Sequence, residues 1–106
     1  MPTYAKTPRF LREYARLSPA QQRQFLAARN QFVRAFRAQE AAHLPGYPRF
    51  PDSLGVKRLQ GGKHQIMELA WSRDGRCTWA YGVLADSDRY HVIWRRIGSH
   101  AIYDDP

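Results

Sequence analysis

The chain has 106 residues, 43% of them hydrophobic, with three Trp, six Tyr and five Phe, which suits one domain with a single modest core. Seventeen Lys and Arg against nine Asp and Glu give a formal net charge of +8, which favours a polyanionic partner, either nucleic acid or an acidic protein segment. One cysteine excludes an intramolecular disulfide and a cysteine-based metal cluster, and no apolar run approaches the ~20 residues of a membrane span. A soluble cytoplasmic protein without a signal peptide is the expectation.

The first half of the chain predicts a short strand and two consecutive helices. Residues 2–5 are the expected strand, and Thr7-Pro8 is typical of a helix N-cap followed by proline in the first turn. Residues 18–21, Ser-Pro-Ala-Gln, form a capping box that starts a second helix at once. The second helix should fade after residue 42. The expected buried stripes are Phe10, Tyr14 and Leu17 in the first helix, and Phe25, Ala28, Phe32 and Phe36 in the second.

A proline-rich loop separates the two halves. Residues 43–55, HLPGYPRFPDSLG, contain three prolines and two glycines, so they cannot continue a helix. The segment is interpreted as a connecting loop inside one domain that spans residues 1–106.

The second half changes from helical to alternating periodicity, which predicts β-strands. The expected strands are residues 56–59, 64–71, 77–83 and 90–97, with turns at 72–76 and 85–89. In the first turn Gly75 should be left-handed, with Trp71 paired to Cys77 and Leu69 to Trp79. The predicted fold class is α+β, a two-helix hairpin packed on one face of an antiparallel sheet.

Two features of this sheet stay open at the level of sequence. The face opposite the bulky side chains fits either a shallow ligand groove or an ordinary solvated surface; it carries Ala70, Ser72, Arg76, Thr78 and Ala80. In the last strand either of two sets can face the core: Val92, Trp94 and Arg96, or Ile93, Arg95 and Ile97.

The stretch WRRIGSHAIY, residues 94–103, combines two arginines, a glycine and a histidine at a strand end. A histidine beside cations can act as a base near neutral pH, so His100 is a candidate catalytic residue; the alternative is that it caps the strand while the arginines are solvated. The sequence contains no HxH, HExxH or CxxC spacing, so it predicts no metal site. The weaker candidates are interpreted as surface, strand or core residues: His43, His64, His91 and Cys77.

Four stretches carry a family resemblance: PRFLREYARLSPAQQRQF in the helices, VKRLQG before the sheet, and DGRCTWAYG and RRIGSHAIY within it. Together they resemble the RelE/ParE superfamily of bacterial type II toxins. The ending Arg-x-Gly-x-His is most similar to the RelE/YafQ-like mRNA interferases. The resemblance implies a single RelE-like domain with a short N-terminal strand, a two-helix hairpin and an antiparallel sheet.

The resemblance also implies roles for eight residues. Those implied to be catalytic are His100 as proton carrier and Arg96 and Arg76 as charge stabilisers. Lys57 is also implied to be catalytic, because it occupies the position where the YafQ-like group has a histidine, a possible acid or base. Those implied to contact RNA are Tyr103, Asp74, Arg95 and Arg58. The position of a second YafQ-type histidine is occupied by Ala70, which removes one candidate proton carrier.

The function implied by the resemblance is ribosome-dependent cleavage of mRNA, by attack of a ribose 2′-OH on the adjacent phosphate, with no metal or other cofactor. The expected partners are a cognate antitoxin, the ribosome and mRNA in its A site; neither a membrane nor a small-molecule cofactor is expected. Two alternatives stay open. One is a non-nucleolytic ParE-like toxin that inhibits DNA gyrase, and the other is a degenerate member that only binds RNA or an antitoxin.

Overall fold

The computed structural model describes residues 3–59, 65–82 and 90–106. In chain order the elements are β1 (Thr3–Lys6), α1 (Pro8–Arg16), α2 (Pro19–Ala41), a 3₁₀ turn η1 (Asp52–Leu54), β2 (Lys57–Arg58), β3 (Met67–Ala70), β4 (Arg76–Tyr81), β5 (His91–Gly98) and a C-terminal 3₁₀ helix η2 (His100–Asp104). The predicted turn at 85–89 and the strand position of His64 lie outside the described residues.

Both helices begin where the capping patterns predict. The Thr7 hydroxyl accepts a hydrogen bond from the Phe10 backbone N–H at 3.0 Å, with Pro8 in the first turn. At α2 the Ser18 hydroxyl accepts from the Gln21 N–H at 3.1 Å, and the Gln21 side chain accepts from the Ser18 N–H at 2.9 Å. These reciprocal bonds satisfy N–H groups that have no partner within the helix, and they confirm both predicted helix starts.

The five strands form one mixed sheet in the order β1-β5-β4-β3-β2. β2 to β5 pair antiparallel as predicted, but β1 pairs parallel with β5, with Thr3 opposite His91. The predicted antiparallel sheet is confirmed for β2 to β5, and the N-terminal strand, whose partner was not predicted, adds a parallel pair at the edge. Two helices and three strands separate β1 from β5 in the chain, and this long connection permits the parallel pairing.

Aromatic side chains join the helices to one face of the sheet. The buried ring of Phe32 lies 4.9 Å from the ring of Trp79 and 5.2 Å from that of Trp94, between centroids. Phe25 is edge-on to Trp94 at 5.6 Å. The predicted stripe of α2 is confirmed, because its buried residues are Phe25, Ala28, Phe32 and Phe36. Each buried aromatic removes roughly 150–250 Å² from water, so these rings dominate the stabilisation of the layer.

The β3–β4 hairpin has a register two residues away from the predicted one. Leu69 pairs with Cys77 and Met67 with Trp79, whereas the predicted pairs were Trp71 with Cys77 and Leu69 with Trp79. Because the side-chain period of a strand is two, this shift leaves every side chain on its predicted face. The prediction was therefore right about the faces and wrong about the partners.

The turn of this hairpin explains the register. The Trp71 N–H donates to the Gly75 carbonyl at 3.1 Å, and the Gly75 N–H donates to the Ser72 hydroxyl at 2.8 Å. Gly75 is not left-handed, so that prediction is wrong. The position requires glycine for a different reason: a Cβ there would lie 2.5 Å from the Trp71 ring and from the Ser72 hydroxyl.

A β-bulge places both arginines of β5 on the same face of the sheet. Arg96 and Trp94 lie opposite consecutive residues of β4, so Arg95 is the extra residue. Strict alternation would put Trp94 and Ile97 on opposite faces, yet both are 1% exposed in the core. The two alternating sets predicted for the last strand are thus both wrong beyond Trp94, and both arginines contact the C-terminal segment.

Candidate active site

His100 and Asp74 form a hydrogen-bonded pair where the β3–β4 turn meets η2. His100 Nδ1 lies 2.6 Å from Asp74 Oδ1, and the two side chains are 53% and 72% exposed. The hydrogen bond from His100 lowers the pKa of Asp74, so this carboxylate is ionised at neutral pH and can only accept. Nδ1 of a neutral His100 therefore carries the proton, and Nε2 has the lone pair of a base.

Gly98 and Ser99 place His100 at the start of η2. A Cβ at Gly98 would lie 2.9 Å from Ile102 Cγ2, so glycine allows η2 to fold back closely against the strand. The Ser99 hydroxyl accepts a hydrogen bond from the Ala101 N–H at 3.2 Å and caps the short helix. The glycine and serine of the RRIGSH motif thus position the histidine that follows them.

Arg76 borders the histidine pair. It lies opposite Gly98 in the sheet, and its charge lowers the pKa of Asp74 further, after the larger effect of the His100 hydrogen bond. Its Nη1 donates to three carbonyl oxygens of the β3–β4 turn, at 2.8, 3.0 and 3.3 Å. These bonds fix the guanidinium beside the turn that carries Asp74.

Tyr103 and Glu68 connect the histidine pair to a neighbouring lysine. The Tyr103 ring is edge-on to the His100 imidazole, with centroids 5.8 Å apart. Burial, followed by the effect of the nearby Glu68 carboxylate, raises the pKa of Tyr103 to about 12, so its hydroxyl keeps its proton at neutral pH. Glu68 is itself buried, and its Oε1 lies 3.5 Å from Lys57 Nζ. A polar cluster therefore extends from His100 to Lys57.

A cleft of about 790 Å³ lies beside this cluster, between the proline-rich loop and the β2–β3 edge. Ala70, which pairs with Arg76 in the sheet, lines this cleft. At this end of the sheet the face with small side chains is therefore a groove, which was one of the two interpretations left open by the sequence. Carboxylates also reach the cleft from Asp52 and Glu68. Its cationic lining residues are Arg49, Lys57, Arg58 and Arg76.

Arg96 and Arg95 contact the C-terminal segment. Arg96 donates from Nε and Nη2 to the two carboxylate oxygens of Glu13, at 3.2 and 2.6 Å. Its Nη1 donates to the carbonyls of Ile102 and Asp105, at 3.3 and 3.2 Å. Four of the five N–H groups of a guanidinium are thus used inside the protein, and the side chain is only 14% exposed. Arg95 Nε donates to the last carbonyl of the chain at 3.2 Å.

The eight predicted site residues therefore fall into two groups. Six lie around the histidine pair or along the cleft: His100, Asp74, Tyr103, Arg76, Lys57 and Arg58. The other two, Arg95 and Arg96, are engaged with the C-terminal segment, and Arg96 also with α1.

Four residues of the site or of its support were not predicted from the sequence. Tyr47 and Arg49 line the cleft; the loop motif YPRFP carried a signal for them, because it places an aromatic residue and a cation on either side of a proline. Glu68 is visible only as one member of an alternating strand. Glu13 pairs with an arginine 83 positions later, and no local pattern predicts such a contact.

Neither a metal centre nor a membrane span is evident in the parts of the chain that the structure describes. Within residues 3–59, 65–82 and 90–106 no group of three or more His, Cys, Asp or Glu side chains is arranged to hold a metal ion. No helix among these residues is long and apolar enough to cross a membrane. Cys77 is fully buried as predicted, and burial raises the pKa of its thiol.

Comparison with known proteins gives matches in structure but not in sequence. No protein-family model matches the chain, and no curated protein matches it significantly. The crystal structure of the E. coli DinJ–YafQ complex contains a chain of similar fold. The alignment covers 95% of this chain and 96% of that chain, with a TM-score of 0.53 and 17% sequence identity. A YafQ mutant from E. coli is also similar: the alignment covers 97% of this chain and 98% of that chain, with a TM-score of 0.52 and 16% sequence identity.

A copper-bound mutant toxin from Helicobacter pylori is similar to the same extent, with 95% and 97% of the two chains covered, a TM-score of 0.53 and 14% identity. The chain has a RelE-like fold. The predicted fold class is confirmed, since two helices pack on a five-stranded sheet that includes an N-terminal strand. At these identities the likeness is one of fold, and a fold does not by itself determine an activity.

Proposed function

We propose that this RelE-like chain is the toxin of a type II toxin–antitoxin system and that it cleaves mRNA on the ribosome as an endoribonuclease. The observation that carries the proposal is the exposed His100–Asp74 pair, which lies beside Arg76 at one end of a cationic cleft. An imidazole oriented by a carboxylate, together with guanidinium and ammonium groups, supplies what RNA transesterification requires without a metal.

The proposed reaction is attack of a ribose 2′-OH on the adjacent phosphate. His100 Nε2 takes the proton of the 2′-OH as its oxygen bonds to phosphorus, and the bond from phosphorus to the 5′ oxygen breaks. The products are a 2′,3′-cyclic phosphate and a 5′-OH. Asp74 holds the imidazole in the tautomer that leaves Nε2 basic, and its charge stabilises the imidazolium that forms.

Lys57 and Arg76 supply the remaining chemistry. Lys57 lies at the position where the YafQ-like group has a histidine, and we assign it the proton that the departing 5′ oxygen takes up. Its ammonium is well exposed and can reach a ligand in the cleft. Arg76 stabilises the negative charge that develops on the phosphate oxygens. This division of roles accommodates Ala70, which has no proton to give.

Three further residues are proposed to act on the substrate or on the site itself. Tyr103, which stays protonated, orients a nucleotide beside His100, while Arg58 and Arg95 contact the RNA backbone. For Arg96 we propose a positioning role in place of the phosphate contact expected from sequence, because its guanidinium holds the segment that carries the histidine. The ribosome supplies much of the substrate positioning.

The test is mapping of mRNA ends in a reconstituted translation reaction. The wild-type protein should cleave mRNA when ribosomes are present and not when they are omitted. His100→Ala should lower the cleavage rate by on the order of 10²-fold or more, while Arg16→Ala, which removes an exposed arginine from α1, should leave it unchanged. Cleavage by His100→Ala at the wild-type rate would remove His100 from the mechanism, and intact mRNA with the wild-type protein would contradict the nuclease proposal.

A second candidate function is inhibition of DNA gyrase without nuclease activity. The observation that favours it is the engagement of Arg96 with Glu13, which removes one of the cations expected at a nuclease site. A basic surface suffices for such binding. Intact mRNA together with loss of gyrase supercoiling would support this candidate, and loss of neither would indicate a chain that only binds RNA or its antitoxin.

The proposed protein partner is a cognate antitoxin, and the proposed location is the cytoplasm, where translation takes place. The support for this partner is the DinJ–YafQ complex, in which a protein of similar fold is bound by DinJ. An acidic or amphipathic antitoxin segment would complement the net charge of +8.

A further inference from the structure

Two clefts of the molecule meet at a stacked pair of tyrosines. The cationic cleft described above is lined at one end by Tyr47 and Tyr81. A second cleft, of about 850 Å³, is lined by the same two residues together with His43, Tyr90 and His91. The tyrosine pair therefore borders both clefts.

One ring of this pair has an open face. The centroids of Tyr47 and Tyr81 are 4.1 Å apart with an angle of 19° between the ring planes, so one face of Tyr47 is covered by Tyr81. Tyr47 is nevertheless 66% exposed, which leaves its other face accessible. Burial and the neighbouring phenols raise the pKa of Tyr81, so the supporting Tyr81 ring keeps its proton at neutral pH and does not repel phosphate.

The loop that carries Tyr47 is held from both sides. Gln39 Nε2 donates to the Pro45 carbonyl at 2.9 Å, and the Tyr90 hydroxyl donates to the Gly46 carbonyl. On the other side of Tyr47 the next residue, a proline, is buried, and Phe50 stacks on a core ring of α2 at 4.9 Å. The exposed ring is thus pre-organised, which lowers the entropy cost of binding a flat ligand.

We propose that Tyr47, supported by Tyr81, is a stacking platform for a base of single-stranded RNA, and that the strand continues from the cationic cleft over this ring into the second cleft. The inference rests on the proposed function, since it assumes an RNA substrate. Arg49 and Arg58, on the cationic side, neutralise backbone phosphates. An aromatic surface next to a cationic cleft suits single strands, whose bases are available for stacking, better than duplexes.

The test uses fluorescence anisotropy with a short single-stranded oligoribonucleotide whose 2′-OH groups are methylated, so that binding is measured without cleavage. Tyr47→Ala should weaken binding by about 5- to 100-fold, as expected for one lost base-stacking contact. Tyr47→Phe, which keeps the ring, should bind like the wild type. Leu11→Ala, which removes another exposed apolar side chain (52%) from α1, is the control and should bind like the wild type.

An abasic nucleotide, placed in turn at each position of the oligonucleotide, separates stacking from a structural effect. At one position it should weaken binding to the wild type and to Tyr47→Phe but cause little further loss with Tyr47→Ala. Equal binding by the wild type and Tyr47→Ala would overturn the inference while leaving the nuclease proposal intact. No binding by the wild type, by contrast, would count against the RNA substrate itself and so against both proposals.

Discussion

The carboxylate of Glu13 on α1 holds the guanidinium of Arg96 on β5 through two hydrogen bonds, the shorter of which is 2.6 Å. Because the two side chains are only 17% and 14% exposed, neither charge is well solvated if the other is removed. The same guanidinium binds two carbonyls of the C-terminal segment, so one ion pair joins a helix, a strand and the segment that carries His100.

Glu13→Ala is therefore expected to lower the free energy of unfolding by roughly 2–3 kcal/mol, because it leaves the Arg96 charge without its partner. Urea denaturation measures the change. Arg9→Ala is the matched control on the same helix: its ion pair with Asp105 is exposed at 45% and 79%, so the loss should stay below about 1 kcal/mol. Equal losses in the two variants would contradict the role assigned to the buried pair.

The pKa of Asp74 should depend on His100. In the wild type the hydrogen bond from His100 lowers the pKa of Asp74 below its ordinary value of 3.8, so the folded state gains stability above that pH and loses it as the pH falls through the lowered pKa. His100→Ala should raise the pKa of Asp74 back toward the ordinary value. Titration of the side-chain carboxyl ¹³C signals measures it, with Asp105, which pairs with Arg9, as an internal reference that should not move.

Tyr103 should make the fold sensitive to alkaline pH. Burial raises its pKa from 10.0 to about 12, so the stability that the neutral phenol contributes is complete below pH 10 and is lost as the pH rises from 10 to about 12. Tyr103→Phe has no phenol to ionise and should lose less stability over this interval. Thermal melts between pH 9 and pH 12 compare the two proteins, with Tyr14→Phe on α1 as control; identical slopes for wild type and Tyr103→Phe would disprove the prediction.

Gly98→Ala should displace η2 and with it His100. The added Cβ would lie 2.9 Å from Ile102 Cγ2, and such overpacking typically costs about 1–3 kcal/mol. We also expect mRNA cleavage to fall by more than the loss of folded protein explains, because the imidazole moves with η2. If the contact with Ile102 is the cause, Gly98→Ala should lower the free energy of unfolding by less in an Ile102→Ala background. Additive losses in the double variant would rule out this explanation.

The sequence by itself determined the helical half and the pattern of the core. The caps at Thr7 and Ser18 and the stripe that contains Phe32 are encoded within a few turns of helix, because hydrogen bonds and side-chain periodicity there involve near neighbours in the chain. The faces of β3 and β4 were also predictable, since alternation is local. The glycine-histidine motif at residues 98–100 correctly marked the place where His100 lies beside the sheet end.

Only the tertiary structure decided the strand partners and the composition of the site. The parallel pairing of β1, the register of Leu69 against Cys77 and the bulge at Arg95 each depend on which distant segments bury the same core, and no short window of sequence contains that information. The same holds for Arg96: its motif resembles a phosphate-binding arginine, but a carboxylate 83 positions earlier in the chain occupies its guanidinium. A charged side chain binds whichever opposite charge the fold brings closest, and that distance is a property of the folded molecule.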